Sequence, residues 1–526
     1  MRRLFSLLLF SLLCASPCVA QKSATETASA AGTHTDRAVD RAFEAARKEG
    51  PLALRTFLVG MPKGADLHTH LAGAVYAESW IRAAAEDGLC VDTKSLTFLK
   101  PPPDGCPHTL GQITATELLA HASDSADQAI YDKLIDAFSM RSFVPYASWS
   151  GHDQFFSTFD HFRGTEDKHT GEWLDELATR AAAQNEQYLE IMDTPAFGHA
   201  ASLAARLKWN DNPAEFRQKL LDAGLVDEVA ADKEHAESAL AQRDKIEHCG
   251  TPQAAPACQV KIHFLYQILR ALPTEVVFAQ TLLGFETISR HPDLFVGINF
   301  VQPEDGYNSM TNYTLQMKML DYLHSVYPQV HITLHAGELA PGMVPPDGLH
   351  SHIRQAIETA HAERIGHGVD VMYEDDANGL LKEMAAKHIM VEINLTSNDG
   401  ILGIKGETHP LHFYRRAGVP VALSTDDEGV NRSDLTHEYV RAAIEQNLRY
   451  ADLKQMARTG LEHSFLLGKS LWAKEDAFTT PVSECSSQPL GAEKPTNRCQ
   501  AYLDANEKAA TQWEQEHRFH NFEAKW

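Results

Sequence analysis

Two histidines two positions apart start the chemistry, in Asp66-Leu67-His68-Thr69-His70. In a strand, side chains two positions apart point to one side, so both imidazoles can reach one metal ion. Alone the pair says little, because 27 His in 526 residues produce about one such spacing by chance. A second pair, His350/His352, sits in a helical, Asp/Gly-flanked context and reads as that chance case. Three other stretches change the odds. His335-Ala336-Gly337-Glu338, Gly366-His367-Gly368 and Ser424-Thr425-Asp426-Asp427 each end a short apolar run. Imidazoles and carboxylates buried at such places are costly without a partner. Three histidines and one carboxylate fit Zn2+ and leave a position for water, although cobalt or iron suits similar ligands. Such a water is acidified to a pKa of about 7. Glu338 and His367 stand beside it for proton transfer.

Convergence requires a scaffold that brings strand ends together. Candidate strands are 65–68, 187–192, 260–266, 295–301, 330–335, 363–367, 389–394 and 419–425. Helical patterns alternate with them, as at 312–326, 350–361, 375–387 and 433–449. Eight β/α alternations predict an α/β fold, the (β/α)8 TIM barrel, whose strand C-termini share one catalytic face. A doubly wound open sheet shows the same alternation. Residues 21–60 read as a Ser/Thr/Ala-rich tail and a helical extension over 37–59. Residues 61–475 carry the barrel, 200–258 a helical insertion within it, and 476–526 a C-terminal loop and helix, with 480–500 in the loop. Trp149, Phe155, Phe156, Phe159 and Phe162 have the spacing of an apolar helix face and read as core, with a lid over the site as the other reading.

Composition limits the partners. With 47 Lys+Arg against 71 Asp+Glu, the net charge of −24 argues against nucleic acid and anionic membrane surfaces. An apolar content of 44% excludes a disordered chain. Arg2 and Arg3, the apolar run Leu4–Leu13 and the exit Cys18-Val19-Ala20 form a signal peptide over residues 1–20, cleaved after Ala20. The chain is then secreted or periplasmic, and no later segment is apolar enough to span a membrane. Six cysteines remain, and an even count in an exported chain suggests disulfides. The simplest pairing is local: Cys90 with Cys106, Cys249 with Cys258, Cys485 with Cys499.

The set Met61-Pro62-Lys63, His68-Thr69-His70-Leu71, His335-Ala336-Gly337-Glu338, Arg364-Ile365-Gly366-His367-Gly368, Thr396-Ser397-Asn398 and Ser424-Thr425-Asp426-Asp427 resembles the adenosine deaminase family of zinc amidohydrolases. The leader and extended N-terminal part are similar to its exported, growth-factor-related branch. The resemblance implies one Zn2+ per chain on His68, His70, His335 and Asp426. It implies that Glu338 protonates purine N1, that His367 orients the attacking hydroxide and acts as base, and that Asp427 holds N7. Thr396-Ser397-Asn398 reads as turn-fixing rather than catalytic. Asp427 has a second reading, as a cap of the following helix.

The family's pattern is not kept throughout. Its Asp for the ribose 5′-hydroxyl is Ala72 here. Its Asp-Leu-x-Gly is replaced by Asn299, Phe300 and Gln302, so Gln302 stands where a glycine meets purine N3, while Glu304 matches the family's glutamate. The expected function is zinc-dependent deamination of adenosine or 2′-deoxyadenosine to the inosine form and ammonia. Ala72 and Gln302 keep open another aminopurine or a 5′-modified adenosine. A non-catalytic, growth-factor-like binding protein is the reading from another class. The N-terminal helix and the 200–258 insertion are candidate homodimer surfaces, by analogy alone. Mass analysis of the exported protein is expected to find Gln21 at its N-terminus; an intact Met1 contradicts the signal.

Overall fold

Eight largely buried runs pair in the order in which the chain makes them. They are β1 (Gly64–His70), β2 (Glu186–Asp193), β3 (Lys261–Leu269), β4 (Phe295–Val301), β5 (His331–Ala336), β6 (Arg364–His367), β7 (Met390–Ile393) and β8 (Val421–Leu423). Every neighbouring pair is parallel. β8 returns to β1 through a bridge between Thr69 and Asp426. There the Asp426 N–H donates to His68 O at 2.8 Å, and the His70 N–H donates to Asp426 O at 3.2 Å. This computed structural model, which describes residues 34–526, is therefore a (β/α)8 barrel. Sequential strand order with a return to the first strand excludes the open doubly wound sheet. The leader and its cleavage site lie outside the described residues.

All eight expected strands are present, with ends shifted by three residues or fewer. β8 is shorter than expected because Pro420 precedes it and the backbone turns left-handed at Asp426 (φ 62°). The helix expected over 37–59 is two helices, His34–Glu49 and Pro51–Leu58. Gly50 at φ 127° breaks them, and Pro51 starts the second, where its missing N–H costs nothing. The stretch after β2 forms three helices, Gly198–Leu207, Pro213–Asp222 and Val229–Ile246. The loop expected to residue 500 ends earlier, because Thr496 accepts the Cys499 N–H and caps the helix Asn497–Asp504. A small antiparallel sheet (Cys90–Asp92, Thr97–Leu99, Gln112–Thr114) was not expected, since three-residue strands carry no readable period. The three local cysteine pairs are disulfides: Cys90–Cys106, Cys249–Cys258 and Cys485–Cys499. Among the described residues no helix is long and apolar enough to cross a membrane.

Charge runs through the barrel interior. Asp66 on β1 accepts the N–H groups of His68 and Thr425 and the Thr425 hydroxyl, which ties β1 to the end of β8. Arg364 on β6, 1% exposed, lies 2.7 Å from Glu190 of β2 and 2.7 Å from Glu392 of β7. The Phe465 ring covers the guanidinium at 3.9 Å. That same ring explains Gly297 in β4, where a Cβ would stand 2.9 Å from it. Burial alone would raise the Glu392 carboxyl, but Arg364 and His68 hold it at about 2. Replacing Arg364 by Met leaves two carboxylates buried without their cation. The expected loss is about 3–5 kcal/mol of unfolding free energy, read by denaturant titration; a loss under about 1 kcal/mol contradicts the role given to this network.

Candidate active site

Four strand ends deliver one cluster. His68 and His70 come from β1, His335 from β5, and Asp426 from the turn after β8. His335 Nε2 lies 3.1 Å from His68 Nε2 and 3.2 Å from His70 Nε2. Asp426 Oδ1 lies 3.5 and 3.2 Å from the same two nitrogens. Four donors placed tetrahedrally around Zn2+ at its usual bond lengths stand ~3.3 Å apart. The protonation pattern fits as well. His68 Nδ1 meets Glu392 Oε2 at 2.6 Å, His70 Nδ1 meets Gln267 Oε1 at 2.8 Å, and His335 Nδ1 meets Asn299 Oδ1 at 2.8 Å. Each Nδ1 faces an oxygen acceptor and so carries the ring proton. All three Nε2 lone pairs then aim at one point beside a carboxylate, which is what a divalent cation requires and what three adjacent imidazoles otherwise resist.

The proton-handling groups surround that point. Glu338 is buried, and burial, with Asp426 and Glu304 nearby, raises its carboxyl well above the usual range. His367 is fully buried, with Nε2 4.0 Å from Asp426 Oδ2 and Nδ1 3.7 Å from Glu338 Oε1. Burial pushes its ring down to about 3, so it is neutral. Asp427 does not cap the helix after it. Its Oδ1 is buried with no hydrogen-bond partner, and burial beside Asp426 raises the carboxyl. Gly73 is required opposite, since a Cβ there would collide with Asp427. His367, Asp426 and Gln302 all have left-handed backbones (φ 68°, 62° and 82°). Each costs on the order of 1–3 kcal/mol, and their gathering here marks a site held by its surroundings.

A cavity of about 660 Å³ opens onto the cluster. His70, His335, Glu338, Asp426 and Asp427 line its metal end, together with Ala72, Gln302 and Gln267. Phe155, Phe156, Phe159 and Phe162 form an aromatic part of the rest, beside Arg163, Asp160 and Leu269. Both readings of these aromatics hold: Phe155 and Phe162 are buried in the core, Phe162 stacked on Trp80, while the helix Gly151–His161 also presents Phe155, Phe156 and Phe159 to the cavity, and Trp149 donates to Gln154. Gln302 keeps a glycine-like backbone because its Oε1 accepts the Ala271 N–H. Glu304 is absent from the lining. Its oxygens accept the N–H groups of Gly337 and Glu338 and contact His352 Nδ1 at 2.6 Å, so it supports the Glu338 turn rather than a ligand. His352 is thus no stray histidine; it stacks on Tyr313 at 3.6 Å. Sequence reasoning missed Gln267 and Glu392, the oxygens behind His70 and His68. A lone glutamate in the apolar β7 run was the available signal.

Comparison with known proteins places this geometry. The sequence model of the family described as adenosine deaminase matches residues 152–471. An adenosine deaminase of Shewanella denitrificans is 32% identical over 214 residues, 39% of this chain and 56% of that protein. One from Escherichia coli (strain SE11) is 40% identical over 137 residues, 26% of this chain and 38% of that protein. The chain thus spans about half or less of the length of these curated relatives. A solved amidohydrolase from Burkholderia ambifaria, described with bound Zn, shares the fold at TM-score 0.50 and 16% identity, covering 78% of this chain and 88% of its own. Replacing Asn299 by Leu removes the acceptor that orients His335. Zinc affinity is expected to fall about 10- to 100-fold in a chelator competition; an unchanged affinity contradicts the role of that acceptor.

Proposed function

Because the chain belongs to the adenosine deaminase family, we propose that it hydrolyses the C6 amino group of an adenine nucleoside, adenosine or 2′-deoxyadenosine, to give the inosine form and ammonia. The observation that carries this reading is the meeting of two buried carboxyls, Glu338 and Asp427, with the four-ligand cluster at the end of one aromatic-walled cavity. Zn2+ on His68, His70, His335 and Asp426 would supply an acidified water and a positive charge beside the reacting carbon. Glu338 donates a proton to ring nitrogen N1, which draws electrons from C6. His367 orients the attacking oxygen. Asp427, whose Oδ1 has no protein partner and whose carboxyl is raised by burial beside Asp426, is protonated and donates to N7. The oxygen bonds to C6; of the water's two protons one replaces that given up by Glu338 and the other passes to the amino nitrogen; the bond from C6 to that nitrogen breaks, and ammonia leaves. Phe155, Phe156 and Phe159 pack against the purine and exclude water.

A second substrate reading rests on Ala72. Its methyl lines the cavity and accepts no hydrogen bond, and four phenylalanines line the same space. That surface suits an apolar 5′-substituent as well as a hydroxyl. We place the enzyme outside the cytosol, a reading supported by three disulfides, which persist in oxidising compartments.

Two experiments test the proposal. A panel of adenosine, 2′-deoxyadenosine and 5′-methylthioadenosine is expected to show loss of the adenine absorbance with at least one of them. Zinc-loaded protein that turns over none contradicts it. Glu338→Gln is expected to lose at least about 100-fold in kcat while keeping its zinc; near-normal turnover removes Glu338 from the acid role.

A further inference from the structure

The Thr396-Ser397-Asn398 motif ends beside His367, and behind it lies a fifth histidine, His409, with no place in the mechanism above. His409, Asn398 and His367 are all fully buried. The Leu411 backbone N–H points at His409 Nδ1 at 3.2 Å. A backbone N–H only donates, so His409 Nδ1 accepts and the ring proton sits on Nε2. Burial pushes this ring down to about 3, so it carries one proton. His409 Nε2 lies 3.0 Å from Asn398 Oδ1 and donates to it. The amide orientation is then set, and Asn398 Nδ2 faces His367 Nδ1 at 2.9 Å. Asn394 Nδ2 lies 3.4 Å from Nδ1 and 3.5 Å from Nε2 of the same ring and so favours neither nitrogen. The Asn398 amide NH2 can only donate, so His367 Nδ1 accepts. The nearest carboxylate oxygen, Glu338 Oε1 at 3.7 Å, is too far to claim that position.

We propose that Asn398 and His409 are positioning residues: they carry the polarity of the Leu411 N–H across two side chains and hold the His367 proton on Nε2. The ring then meets the attacking oxygen as a hydrogen-bond donor, with Nε2 turned toward Asp426. The directionality comes from one group that cannot reverse. Hydroxyl relays can flip; a backbone N–H feeding an imidazole and then an amide cannot. The catalytic meaning of the relay rests on the deaminase reading, but the position of the proton does not.

The test is 15N NMR of the ring nitrogens in zinc-loaded full-length protein labelled at histidine, with His367 assigned by its loss in H367Q. The expected wild-type pattern is a protonated Nε2 and an unprotonated Nδ1. Asn398→Asp presents only acceptors, so the proton is expected to move to Nδ1. In that variant kcat is expected to fall roughly 100-fold, with KM and zinc content changed less than about twofold. His409→Gln keeps an N–H for Asn398 and is expected to retain the wild-type pattern, whereas His409→Phe is expected to lose it. A wild-type ring protonated on Nδ1 overturns the proposal, even if no variant folds. So does an N398D protein with unchanged ring signals and unchanged kcat. Failure of the deaminase reading is seen separately, as absence of turnover with the wild-type ring pattern intact.

Discussion

Three imidazole nitrogens aimed at one point inside a protein are the constraint on which the rest of this structure depends. Each would be better solvated elsewhere, and their lone pairs repel at 3.1–3.2 Å. The arrangement holds because every ring is gripped from behind by an oxygen acceptor, Glu392, Gln267 or Asn299. Those acceptors sit on three strands, so a strand that slips by one residue loses its ring's anchor. The cluster also closes the barrel. The bridge between β1 and β8 is made by Thr69 and Asp426, within one residue of His68 and His70 and at a ligand itself. The residues that close the sheet are thus the residues that build the site, or their immediate neighbours.

Much of the buried charge follows from this. Glu392 needs a cation because it faces His68 through one oxygen, and Arg364 supplies it through the other. Arg364 then needs a second carboxylate, Glu190, and a ring beneath it, Phe465. A column of charge thus fills the barrel where an ordinary core would hold aliphatic layers. Its cost in desolvation is met by pairing at every step. At the open end the balance reverses. Asp427 lacks a partner at Oδ1, and Glu338 has its carboxyl raised by burial. Both carboxyls line the cavity, so they are free to meet a ligand there.

The strands were legible in the sequence because buried parallel strands are short apolar runs with sharp polar ends, and those ends are where His335, His367 and Asp426 stand. The grouping of His68, His70, His335 and Asp426 was legible for the same reason. What lay hidden was everything set by contacts across the barrel. Glu304 sits next to the site in sequence, yet its carboxylate turns backward to hold Gly337 and Glu338. Phe155, Phe156 and Phe159 have core spacing, and only the docking of their helix over the strand ends makes them a wall. His409 lies far from any motif of readable chemistry. The direction of its ring is decided by Leu411, which no pattern of residue types reveals.

The central claim is that these four side chains bind one ion on which the chemistry depends. Stripping the purified protein with a chelator and returning zinc in steps, while measuring bound metal and adenine nucleoside turnover together, tests it most directly. The account predicts turnover that rises in proportion to zinc and stops rising at one ion per chain, with His335→Ala binding none at that affinity. Turnover that persists in fully stripped protein, or zinc binding untouched by His335→Ala, would contradict it.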